Sequence, residues 1–96
     1  MKTDVLASIL DGQKGVRRDG GAYLIEEHAS ATVFAGAGSE LITVPRITRF
    51  DLGREIVALT TSKGERFFFP YELVLGLKLE ESEEAGRRPP GGAGFR

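Results

Sequence analysis

His28 is the one side chain of this chain whose ordinary pKa lies near neutrality, so any acid–base chemistry would start there. It stands in Glu26-Glu27-His28, and adjacent residues on an extended backbone point to opposite sides. Those three side chains therefore do not converge on a metal without a special turn. With no second histidine and no cysteine, the chain also lacks the usual transition-metal ligands and any thiolate nucleophile. His28 reads as a surface or capping residue. Ser30, Ser39 and Ser62 fall in turn-like stretches with no identifiable base to activate them. Gly36-Ala37-Gly38-Ser39-Glu40 has the look of a phosphate loop. The third glycine of that fingerprint is replaced by Leu41, however, and the run that follows is β-branched where a helix is required. The expectation is a protein that is not an enzyme and takes no cofactor and no metal.

Binding chemistry has more to work with. Phe67, Phe68 and Phe69 alternate across a strand, so Phe67 and Phe69 face the interior and Phe68 faces out. An outward Phe68 beside Tyr71, with Arg66 and Glu72 around them, would make an apolar patch suited to a protein partner, with a homodimer seam as an alternative use. The competing expectation is that the N-terminal helix covers Phe68 through Leu6, Ile9 and Leu10. A second function reading uses Arg46, Arg49, Arg54 and Lys63, with Arg66, as a basic face for nucleic acid. Arg46 and Arg49 are three apart and face opposite ways on a regular strand, although Pro45 could alter that register. The whole chain offers no positive field to help, with 13 Lys plus Arg against 14 Asp plus Glu.

The elements that must position these residues follow from the periodicity. Val5, Leu6, Ile9 and Leu10 make one stripe of a short helix that Thr3 or Asp4 could cap, and Gly12 and Gly15 end it. At about two turns it is too short to be stable alone in water. Arg17 to Gly21 reads as a polar connection and Ala22 to Ile25 as an apolar run of ambiguous type, so residues 1–28 are taken as helix and linker. From Ala29 the chain turns β-rich. Strands are expected at Ala31 to Ala35, at Leu41 to Phe50 with an irregularity or edge at Pro45, at Glu55 to Thr61 in a central position, and at Arg66 to Phe69. Ser62-Lys63-Gly64 is a three-residue hairpin loop. Pro70-Tyr71-Glu72-Leu73 is a tight turn, after which Leu73, Leu75, Leu77 and Leu79 alternate as a strand with one buried face.

The fold class is thus mainly β, a small five-stranded antiparallel barrel or roll over residues 29–79 behind a short N-terminal helix. Residues 80–96 carry Glu80, Glu81, Glu83 and Glu84, then Arg87, Arg88 and Arg96, with Phe95 as the one large apolar side chain, and are expected to be a disordered tail. The first 79 residues then hold equal numbers of acids and bases. No apolar stretch is long enough to enter a membrane, and the lack of cysteine suits a cytoplasmic protein.

The stretch Phe-Phe-Phe-Pro-Tyr-Glu-Leu-Val-Leu-Gly-Leu-Lys-Leu resembles the end of an SH3-like barrel, where a one-turn 3₁₀ helix precedes the closing strand. Within it, Phe68-Phe69-Pro70-Tyr71-Glu72-Leu73 is similar to a stretch of the CarS antirepressors, small bacterial SH3-like regulatory proteins. The resemblance implies a protein that binds the DNA-recognition face of a repressor with acidic side chains. For this chain that reading requires Glu55, Glu65 and Glu72 to cluster on one face.

Overall fold

The computed structural model describes residues 1–81; the expected disorder of 82–96 lies outside the described residues, and Glu80 and Glu81, grouped with that tail, belong to the last strand. Helix α1 (Thr3–Asp11) is followed by β1 (Val16–Asp19), β2 (Ala22–Ile25), β3 (Ala29–Ala37), β4 (Glu40–Leu52), β5 (Ile56–Thr61), β6 (Arg66–Pro70), a 3₁₀ turn at Tyr71–Leu73, and β7 (Val74–Glu81). The fold is mainly β, as expected, but the sheet has seven strands where five were expected. Every pairing is antiparallel, in the order β1-β2-β4-β3-β7, with β5 on β4 and β6 on β5.

β4 is the pivot of this curled, half-barrel sheet. Its first part pairs with β3 as far as Ile47, while its later residues take β2 on one side and β5 on the other. A strand shared in this way must bend, and two register shifts supply the bend. Ala31 faces Ile47 and Val33 faces Val44, so Pro45 and Arg46 together oppose Thr32. Thr48 is the extra residue of the second shift, between Ile47↔Thr61 and Arg49↔Thr60. An inserted residue increases the local twist and turns the strand. Pro45 has no N–H to give the ladder, and Arg46 beside it takes a left-handed backbone, φ 57°.

The two extra strands are the segment read as linker. Asp19 pairs with Ala22 across a Gly20-Gly21 turn in which Gly20 has φ 65°, and β2 then pairs with β4 through Ala22↔Asp51 and Tyr23↔Phe50. Residues 1–28 are therefore continuous with the sheet. The hairpin expected at Ser62-Lys63-Gly64 forms as read: Gly64 takes φ 86°, with Gly64 N donating to Thr61 O and Thr61 N to Glu65 O, both at 2.9 Å.

The core lies in the concave side of the sheet, where Phe50, Val33, Val44, Ile47, Val57 and Leu59 are buried, with Leu6 and Leu10 of α1 closing over it. Burying each of those leucines contributes about 2 kcal/mol, which is why so short a helix persists. Its capping differs from expectation. Lys2 occupies the N-cap without a side-chain bond, and Thr3 and Asp4 lie inside the first turn. Met1 N instead donates to the carbonyls of Tyr71 and Val74 at 2.8 and 2.9 Å, while Tyr23 OH donates to Asp11 Oδ1 at 3.0 Å. These bonds pin the helix at both ends.

Candidate functional site

The β5–β6 hairpin places side chains on its two faces by simple alternation. Val57, Leu59 and Phe69 point into the core, and Phe67, half-buried, stacks on Phe69 with ring centroids 6.5 Å apart. On the outer face Ile56 pairs with Pro70, Ala58 with Phe68 and Thr60 with Arg66. β4 extends the same rows, since Asp51 pairs with Ala58 and Arg49 with Thr60. Phe68 is 53% exposed and Ile56 49%, and with Ala58 and Pro70 they make an apolar surface with charged residues along one side.

The rim is chemically specific. The Arg66 guanidinium lies over the Phe68 ring, 5.3 Å from its centroid, and makes no ion pair among the described residues. A cation over an exposed ring gains about 0.5–1 kcal/mol and stays available to an incoming carboxylate. Arg49 is occupied by comparison. Its Nε donates to Asp51 Oδ2 at 2.9 Å, and that hydrogen bond is the main reason its pKa is raised.

The expectation that α1 covers Phe68 is incorrect. Leu6 and Leu10 are spent on the concave side, Ile9 is half-buried and Val5 is exposed, so the helix serves the opposite face of the sheet. Tyr71 departs from expectation in the other direction. It is only 6% exposed, and its hydroxyl donates to the Gly53 carbonyl at 2.6 Å. Burial raises its pKa, so the ring acts as a neutral strut between the 3₁₀ turn and the β4–β5 turn. Glu72 is exposed, in an open bowl of about 910 Å³ shared with Lys2, Asp4, Arg54, Glu55 and Tyr71. The four residues read as partner-binding thus divide, with Phe68 and Arg66 on the outer face and Tyr71 and Glu72 at the end of the hairpin.

The basic residues do not form a single face. Arg46 and Lys63 share a small concavity with Ser62 and Phe67 at the Thr61 end of β5, whereas Arg54 stands beyond the Ile56 end. Glu55 and Glu72 likewise lie at one end of the hairpin and Glu65 at the other, so the acidic cluster required by the antirepressor resemblance is not formed. His28 sits in the β2–β3 turn with Nε2 3.2 Å from Glu81 Oε2 and Nδ1 3.9 Å from Glu26 Oε1, exposed to solvent. Among the described residues no group of three or more carboxylates and imidazoles could hold a metal ion, and no helix is long and apolar enough to cross a membrane. The Gly36–Glu40 stretch is the end of β3, a turn with Gly38 at φ 65°, and the start of β4.

The chain matches no family model, no curated protein and no solved structure. The sequence signal for the outer face was the phenylalanine alternation itself. What sequence reasoning missed was Ile56, whose exposure follows from the same alternation once Val57 and Leu59 are assigned inward.

Proposed function

We propose that this chain is a non-enzymatic protein-binding module of bacterial regulatory type, acting in the cytoplasm through the outer face of its β5–β6 hairpin. The observation that carries the reading is Phe68, a large aromatic side chain on β6, half open to solvent, with Arg66, which has no ion pair among the described residues, on its ring. Aromatic and arginine side chains are the residues that most often dominate binding energy at protein interfaces. The partner surface that fits is apolar at its centre with a carboxylate placed to meet Arg66. The 3₁₀ turn between β6 and β7 supports the SH3-like resemblance, and the Phe68-to-Leu73 stretch supports a regulatory class near the CarS antirepressors. The scattered acids argue for recognition by apolar contact in place of DNA mimicry, and the separation of Arg54 from Arg46 and Lys63 disfavours nucleic acid.

The test compares immobilised wild type with Phe68→Ser and Arg66→Ala in a lysate of the source organism. Exposed substitutions of this kind alter stability by about 0.5 kcal/mol. The reading predicts a protein retained by wild type, lost with Phe68→Ser and weakened with Arg66→Ala. The same proteins retained equally by all three forms would refute it.

A further inference from the structure

The backbone of β6 carries a second piece of recognition chemistry that its side chains do not express. Among the described residues β6 pairs with β5 alone, so one of its edges is free of any other strand described. The register decides which groups that edge presents. Thr61 N donates to Glu65 O at one end of the hairpin and Tyr71 N to Glu55 O at the other, which makes Phe67↔Leu59 and Phe69↔Val57 the hydrogen-bonded pairs. Arg66, Phe68 and Pro70 therefore direct their main-chain groups away from β5. Arg66 and Phe68 each offer an N–H and a C=O there, and Pro70 offers only its C=O.

We infer that this edge pairs with the same edge of a second copy, antiparallel about a two-fold axis at Phe68. In that register each Phe68 N–H meets the Phe68 carbonyl of the other copy, and each Arg66 N–H meets the Pro70 carbonyl. Every free donor of both edges is matched, and only the Arg66 carbonyl, which would face the N–H that Pro70 lacks, is left to solvent. The charges select the same direction. Lys63, Glu65 and Arg66 stand at the hairpin end of β6 and Arg54, Glu55 and Glu72 at the other, all exposed, so the first end carries an excess base and the second an excess acid. Antiparallel pairing sets the basic end of one copy against the acidic end of the other, while parallel pairing would oppose like charges. The strands at the two ends of the main sheet path carry charge. β1 is charged at Arg17, Arg18 and Asp19, and β7 carries Lys78, Glu80 and Glu81, the devices by which edge strands avoid pairing. The joined sheet leaves both Phe68 rings on one continuous outer face and so doubles the surface proposed above. The dimer does not depend on that proposal, because it rests on main-chain groups.

Sedimentation equilibrium of the purified full chain from micromolar to millimolar concentration, with amide hydrogen exchange at the same concentrations, tests the inference. The expected result is a mass that rises from monomer to dimer, with protection of the Arg66 and Phe68 amides growing in step. Arg66→Pro removes an outward donor without touching the β5 ladder and is expected to weaken the dimer at least about tenfold. Phe68→Ser, which keeps both main-chain groups, should still dimerise while losing any partner. A chain that stays monomeric, or a dimer in which these two amides exchange as freely as in the monomer, overturns the inference. Protection that appears only when a different protein is added assigns the edge to that protein and overturns it as well. Should Arg66→Pro fail to fold, the exchange data on the wild type decide alone.

Discussion

Arg46 is where local backbone preference and tertiary demand conflict. A non-glycine residue at φ 57° costs about 1–2 kcal/mol, and it is held there because β4 must turn between its pairing with β3 and with β5. Arg46→Gly should therefore raise the melting temperature, and Arg46→Val, β-branched and worse suited to that region, should lower it. Thermal unfolding of the two variants beside the wild type checks the sign of each. Pro45 announced an irregularity in the sequence, and it came where expected. The left-handed residue was not readable, because Arg46 is not a type that favours positive φ, and only the sheet register requires it. Tyr71 has the same lesson. Its position beside Phe68 in the chain suggested a shared surface, yet the 3₁₀ turn rotates it inward to the Gly53 carbonyl.

Among the elements, the least legible were β1 and β2. Asp19-Gly20-Gly21-Ala22 is a turn signal, but Arg17 and Arg18 before it made the strand look like a polar connection. The strand forms because β2 has β4 to pair with, a contact between distant parts of the chain that no local pattern reports. Helix α1 was legible as a stripe and misplaced as a cover. Its anchorage through Tyr23 gives two measurable consequences. Tyr23→Phe deletes the hydroxyl bond to Asp11 and should cost about 1 kcal/mol in denaturant unfolding, whereas Leu10→Ala should cost about 2–5 kcal/mol by opening a cavity. Tyr23 and Tyr71 both have pKa values raised above 10.0, chiefly by burial. As pH passes about 10 the unfolded chain releases these protons first, so it binds fewer than the folded chain and stability falls as pH rises further. Below that range the contribution of both tyrosines is fully present. Denaturant titrations on either side of pH 10 should show this loss, and Tyr23→Phe should reduce it.

At the scale of the whole molecule, the described residues form one curled sheet with a helix on its concave side and an apolar, arginine-flanked surface on its outer side. That division of labour explains why the aromatic content was ambiguous in sequence. A domain this small needs most of its large apolar groups for the core, and Phe50, Phe69 and Tyr71 are used so. Phe68 is the one large aromatic left exposed among the described residues, and the account rests on its having a partner. The most direct measurement replaces Phe68 with the photoreactive p-benzoylphenylalanine in the source cells, with Lys14, exposed beyond the end of α1, as the control position. Irradiation should yield a discrete crosslinked species containing a second, different protein from position 68 and none from position 14. Equal crosslinking from both positions, or no different protein captured from position 68 beside the self-crosslink that the dimer predicts, would contradict the account.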